Sequence, residues 1–313
     1  MPSSSTRHLP VPSIISAEDI QDKKIETRDT IIAFLGPTGS GKSHLVDTLS
    51  GQPNQRAGEQ LESKTQNVRA TRVRYIDEDG SSERTIVLVD TPGFDDTHRS
   101  DMEILKLIAE WLKKTYKAKI KLSGIVYTHR ITDNRMSGSP HRNLRMFKEL
   151  CGDDAAKRVV FSTTMWDRLT ETGRVTAEER EKELRNAFWK PMIRLGSTCA
   201  RFSNNPESAW NIIRDMIPKD GQGTLIQKEM VDKHMNVKET KAGIALLQGL
   251  EEVLQEQQAI LGQLETTSRR HPSQSGLDEQ VQQMRQTIEN TTADIKQLRL
   301  PLSRRIVRIF LCG

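Results

Sequence analysis

Eight residues, Gly36 to Ser43, read GPTGSGKS. They follow a short, continuous apolar run, TIIAFL (30–35), and precede a helix-forming stretch, HLVDTLSG (44–51). An apolar run of this length marks a strand buried on both faces. The glycines let the main chain turn without Cβ atoms in the way, so successive N–H groups can point into one hollow. A helix starting near Lys42 adds its positive N-terminal end to that hollow. Strand, loop and helix in this order, with the spacing G-x-x-x-x-G-K-[ST], form the nest that cradles the crowded oxygens of a phosphate chain. Lys42 then reaches the β- and γ-phosphates, and Ser43 offers its hydroxyl to Mg²⁺. Pro37, Thr38, Ser40 and His44 complete the expected contact surface around Gly36, Gly39 and Gly41.

The rest of the chain repeats the alternation that such a loop requires. ERTIVLVD (83–90), KLSGIVY (121–127) and RVVFSTT (158–164) are further buried strands, and 67–76 is a more polar one joined to 83–90 through the turn DEDG (77–80). Amphipathic helices are expected at 101–116, 140–150, 177–195 and 207–217. Alternating strands and helices predict an α/β domain with a mostly parallel sheet covered by helices on both faces. After about residue 219 strands vanish. Leu246, Leu247, Leu250, Val253, Leu254, Ile260, Leu261 and Leu264 make one apolar stripe, SRRHPSQSG (268–276) interrupts it, and Leu277, Val281, Met284, Ile288, Ile295 and Leu298 make another. That pattern predicts an α-helical hairpin or coiled-coil extension. The expected organisation is a disordered tail at 1–27, rich in Pro and Ser, a nucleotide-binding domain at 28–218, the hairpin at 219–300 and a basic, apolar tail at 301–313.

A second motif, Asp90-Thr91-Pro92-Gly93, ends the strongest strand. A carboxylate there holds Mg²⁺ through water, and Gly93 lets its N–H approach the γ-phosphate. At this distance from the loop, DTPG points to the GTPase branch and to a Ras-like P-loop domain.

With GPTGSGKS, the DTPGF of 90–94, SKT (63–65), TTMWD (163–167) and the Asn pair 204–205, the sequence resembles the septin-like, paraseptin GTPases of the AIG1/immunity-associated type, especially fungal G-domain proteins related to them. The likeness covers about residues 28–218. It implies that Thr65 is the switch threonine that ligates Mg²⁺ beside GTP. It implies that Thr164 and Asp167 belong to the guanine-reading motif, with Met165 in place of the usual Lys; a thioether can still pack on a purine. Asn204 or Asn205 matches the last base-contacting element, with helix capping as the other reading of the pair. GTP or GDP with Mg²⁺ is the implied ligand set, and pairing of G domains into a homodimer or oligomer is the implied assembly.

Phe94 stands where small Ras-like GTPases carry the Gln that orients the attacking water. An apolar side chain cannot do this, so slow hydrolysis is expected unless another group acts. His98 and Arg99, just beyond DTPGFDD, are candidates in cis or across a dimer; His129 and Arg130, at the end of a central strand, are further ones. A GTP-binding scaffold with negligible hydrolysis is the competing reading, and an ATPase a third.

Composition sets the remaining bounds. Lys and Arg number 47 against 42 Asp and Glu, a net charge of +5 spread along the chain, which does not suggest nucleic acid. Cys151, Cys199 and Cys312 lie far apart, without metal-like spacing, as expected for a reducing compartment. Neither an apolar run of membrane-spanning length nor a signal-like N-terminus is seen, so a cytoplasmic protein is expected. Two readings of the hairpin stay open: folding back on the G domain, or serving as an arm for self-assembly or a protein partner. Arg304, Arg305 and Arg308 among Ile306, Val307, Ile309, Phe310 and Leu311 suit peripheral contact with an anionic membrane.

Overall fold

The computed structural model describes residues 11–299, apart from 54–66, 78, 97, 134, 135, 137, 218–220 and 271–275. Seven strands form one sheet: β1 (Ser13–Ile20), β2 (Thr30–Leu35), β3 (Arg69–Ile76), β4 (Glu83–Asp90), β5 (Gly124–Arg130), β6 (Val159–Thr164) and β7 (Thr198–Arg201), in the order β1-β3-β4-β2-β5-β6-β7. β4, β2, β5, β6 and β7 are parallel; β1 and β3 add antiparallel to one edge.

The apolar runs alternate between two cores because successive side chains of a strand face opposite ways. Ile32, Phe34, Ile86, Leu88 and Val126 face α1 (Lys42–Ser50) and α6 (Pro206–Ile213), where Leu45, Val46, Trp210 and Ile213 complete one core. Ile31, Ala33, Val87, Val89, Ile125, Tyr127 and Phe161 face the other way, toward α2 (Asp101–Lys117) and α3 (Ser139–Cys151). α2 starts at a capping box in which Ser100 Oγ accepts from the Glu103 N–H while Glu103 Oε2 accepts from the Ser100 N–H. The helix predicted at 177–195 starts earlier, as α4 (Glu171–Glu183) capped by Thr170, and continues through a wide turn into α5 (Lys190–Arg194).

The expected tail at 1–27 is corrected over its second half, where β1 joins the sheet. Its side chains are mostly exposed, so no apolar pattern announces it; backbone pairing with β3, bonds from Arg69 and Thr71 to Asp19, and burial of Ile20 hold it. Residues 1–10 and 300–313, including the basic tail and Cys312, lie outside the described residues.

After the sheet come α7 (Leu225–Val231), α8 (Lys241–Arg270) and α9 (Leu277–Leu298). α8 and α9 form the predicted hairpin. Its base belongs to the larger core: Ala242, Ala245, Leu246 and Leu250 of α8 and Ile295 and Leu298 of α9 share it with α2, α3 and one face of the sheet. Arg145 of α3 adds a bidentate pair to Glu252, at 2.9 and 3.2 Å. Gly249 is required here, because a Cβ on it would sit 2.3 Å from Cγ of Arg142. Among the described residues no helix is long and apolar enough to cross a membrane.

Candidate functional site

The site forms where β2, β4, β5 and β6 end together. β2 runs into a loop whose Gly36, Gly39 and Gly41 all have left-handed or otherwise positive φ (+141°, +72° and +87°). Gly36 also has no room for a side chain, since a Cβ would meet the Thr128 carbonyl oxygen at 2.5 Å. Three neighbouring strands fix the loop. Ser40 Oγ donates to the Pro37 carbonyl and shares a 2.6 Å bond with Thr128 of β5. Thr164 of β6 donates its hydroxyl to the Ser40 carbonyl at 2.9 Å. The DTPG segment after β4 lies against the other side: Thr38 N–H donates to the Phe94 carbonyl and Phe94 N–H to the Gly36 carbonyl. A Cβ on Gly93 would approach the Thr38 Cα and N to 2.5 Å, so only glycine allows this contact.

Two groups of the predicted constellation meet directly. Ser43 Oγ donates to Asp90 Oδ2 at 2.8 Å. Lys42 Nζ donates to the carbonyls of Pro37 and Gly36 at 2.8 and 3.1 Å and is only 5% exposed. Burial pulls its ammonium down to about 8; the carboxylates of Asp90 and Asp96 oppose this shift and Arg130 adds to it. A hydroxyl and a carboxylate side by side are hard oxygen donors of the kind Mg²⁺ selects, so the residues fit that ion.

A second cluster lies one step along the same edge. Asp167 accepts from Asn204 Nδ2 at 3.0 Å, and Asn204 Oδ1 in turn pairs with His44 Nε2 on α1. Asn204 is thus the member of the Asn pair that meets Asp167; Asn205 caps α6, its Oδ1 accepting from Ser208 N–H at 2.8 Å. Met165 takes a left-handed φ of +65° that turns the chain toward Asp167. Below it, Arg201 stacks over Trp166 at 4.0 Å and pairs with Glu181, so the turn stands on a firm base.

Other sequence candidates fall elsewhere. Thr65 lies outside the described residues. Arg99 lines a groove of about 550 Å³ with Asp22, Asn67, Lys106, Trp111 and Lys114, which none of residues 36–43 lines. His98 is exposed, its N–H donating to Asp96 Oδ1. His129 faces the larger core, edge-on to Trp189. Arg130 does reach the loop: its Nη1 lies 3.3 Å from where a Cβ of Gly39 would be, and its Nε pairs with Asp133. Sequence reasoning missed Asp96, whose Oδ2 accepts from Thr38 Oγ1 at 3.2 Å. The doubled Asp after DTPGF was the available signal.

Residues 31–161 match the family described as 50S ribosome-binding GTPase. This segment has the Ras-like P-loop GTPase fold. Among solved structures, Toc33 from Arabidopsis thaliana aligns as a dimerization-deficient mutant with 17% identity, covering 64% of this chain and 82% of that one at a TM-score of 0.40. Toc33 with GDP and Mg²⁺ aligns with 18% identity over 56% and 71% at 0.39. Toc33 with Mg²⁺ and GMPPNP gives 18% over 64% and 82% at 0.39. No curated protein matches the chain significantly.

Proposed function

We propose that the chain is a guanine-nucleotide switch: it binds GTP and GDP with Mg²⁺, hydrolyses GTP slowly alone, and is activated when two G domains pair. The convergence of Lys42, Ser43 and Asp90 on one glycine-lined loop carries this reading. Main-chain amides and Lys42 hold the phosphates; Ser43 holds Mg²⁺ directly, Asp90 through water, with Thr65 as the proposed further ligand. The ion, when bound, neutralises charge that builds on the β- and γ-oxygens. Asp167, aimed by Asn204, accepts from guanine N1–H and the 2-amino group, a donor pair adenine lacks. Replacing Lys42 by alanine removes a charge-assisted contact, and a fluorescent guanine nucleotide is expected to bind at least about tenfold more weakly. Equal binding by Lys42→Ala and parent overturns the reading.

Phe94 supports the pairing clause and also favours a second reading. Its ring is fully buried, so the position after Gly93 presents no group to water. The chain then either borrows a group from a partner or holds GTP as a scaffold. Single-turnover hydrolysis across a protein concentration series separates these: a rate per molecule that rises with concentration supports pairing, and GTP that persists at every concentration supports the scaffold. The distal half of the hairpin is the proposed surface for a protein partner, in a cytoplasmic protein that touches membranes at most peripherally.

A further inference from the structure

We infer that Asp96 sets the preference between nucleoside diphosphate and triphosphate, disfavouring the terminal phosphate. The inference rests on the nucleotide reading above. Two observations place the carboxylate. Its Oδ2 accepts from Thr38 Oγ1, inside the glycine loop. Thr38 is pressed against Gly93, whose N–H, on the nucleotide reading, approaches the terminal phosphate. The Asp96 carboxylate therefore stands at the terminal-phosphate end of the nest, in addition to that of Asp90.

A diphosphate leaves this end open, so Asp96 stays bonded to Thr38. A triphosphate brings further negative charge to the same end, in a part-buried setting where like charges repel far more than in water. It must either bind beside the carboxylate or displace it, and both weaken triphosphate relative to diphosphate. The side chain does not stand alone: Oδ1 accepts from His98 N–H, so displacing Asp96 also frees the amide of His98. The DTPGF segment is thereby coupled to the third phosphate by repulsion as well as by the attraction of Gly93.

The test uses the full chain and six titrations with Mg²⁺ present: GDP and a non-hydrolysable GTP analogue, each against parent, Asp96→Asn and Asp96→Glu. Asparagine keeps the shape and removes the charge. The expected result is a shift of the affinity ratio toward the triphosphate by about tenfold, with GDP binding changed much less. Asp96→Glu, which keeps the charge, is expected to stay near the parent ratio. Matching unfolding temperatures confirm that all three proteins are folded. An unchanged ratio in Asp96→Asn, or a shift toward GDP, overturns the inference alone. A parent that binds neither nucleotide overturns the nucleotide reading and this inference with it.

Discussion

His129 shows how one residue's surroundings set its chemistry. In the chain it is a histidine at the end of a central strand, beside an arginine, and a plausible phosphate neighbour. In the fold it lies 3% exposed against Trp189, on the face of β5 that turns away from the glycine loop. Burial holds its imidazole down, to about 4, with Asp133 opposing the shift and Arg130 adding to it. The folded protein therefore keeps this ring neutral where the unfolded chain, with a pKa near 6.5, takes up a proton. More protons on the unfolded state mean that stability falls as pH drops, here from about 6.5 to about 4. The loss from this one group is about 3 kcal/mol across that window. Urea titrations at pH 7 and pH 4.5 are expected to show a smaller drop for His129→Gln than for the parent. Equal drops would mean that the ring is not kept neutral. Arg130, one residue on, points to the opposite side and reaches Gly39, a contact that no property of the dipeptide itself reveals.

Among the elements, legibility followed burial. β2, β4, β5 and β6 were readable because both their faces are covered, which forces apolar runs. The P loop and DTPG were readable because the close approaches of Gly36 to Thr128 and Gly93 to Thr38 admit no other residue, so backbone geometry is written directly into the sequence. β1 was not readable: Ser13–Ile20 is held by main-chain pairing along β3 and by the Arg69–Asp19 ion pair, and neither leaves an apolar signature. β7 was missed for a similar reason, being four residues long and half exposed at the opposite edge. Asp167 and one of the pair Asn204 and Asn205 were suggested by resemblance, but the bond between Asp167 and Asn204, and from Asn204 to His44 on α1, joins residues far apart in the chain. Asp96 escaped because its partner, Thr38, lies 58 residues earlier and an Asp-Asp pair in a turn reads as ordinary surface.

At the scale of the whole molecule, the hairpin has two halves with different physics. Its base is continuous with the larger core: Leu246 is fully buried and Leu250 nearly so, in contact with the layer that covers the sheet. Farther out, α8 and α9 have mainly each other, with Arg285 paired to Glu265 and Ile260 left 44% exposed. A two-helix projection buries too little to be stable by itself, so its order depends on the base. The base in turn covers apolar surface of α2 and α3 that the G domain would otherwise expose. The expectation is one cooperative unfolding transition for both parts, rather than one for each. Leu246→Ala should lower the stability of that single transition by about 2–5 kcal/mol through the cavity it leaves. Ile260→Ala should change it by no more than about 0.5 kcal/mol, as exposed substitutions do. Denaturant unfolding followed both by far-UV dichroism, dominated by the helices, and by tryptophan fluorescence, which reports Trp111, Trp166, Trp189 and Trp210 in the G domain, checks this. Coincident curves that move together in Leu246→Ala support a hairpin rooted in the nucleotide-binding fold. Separate curves, with only the dichroism shifted, would make it an independent arm.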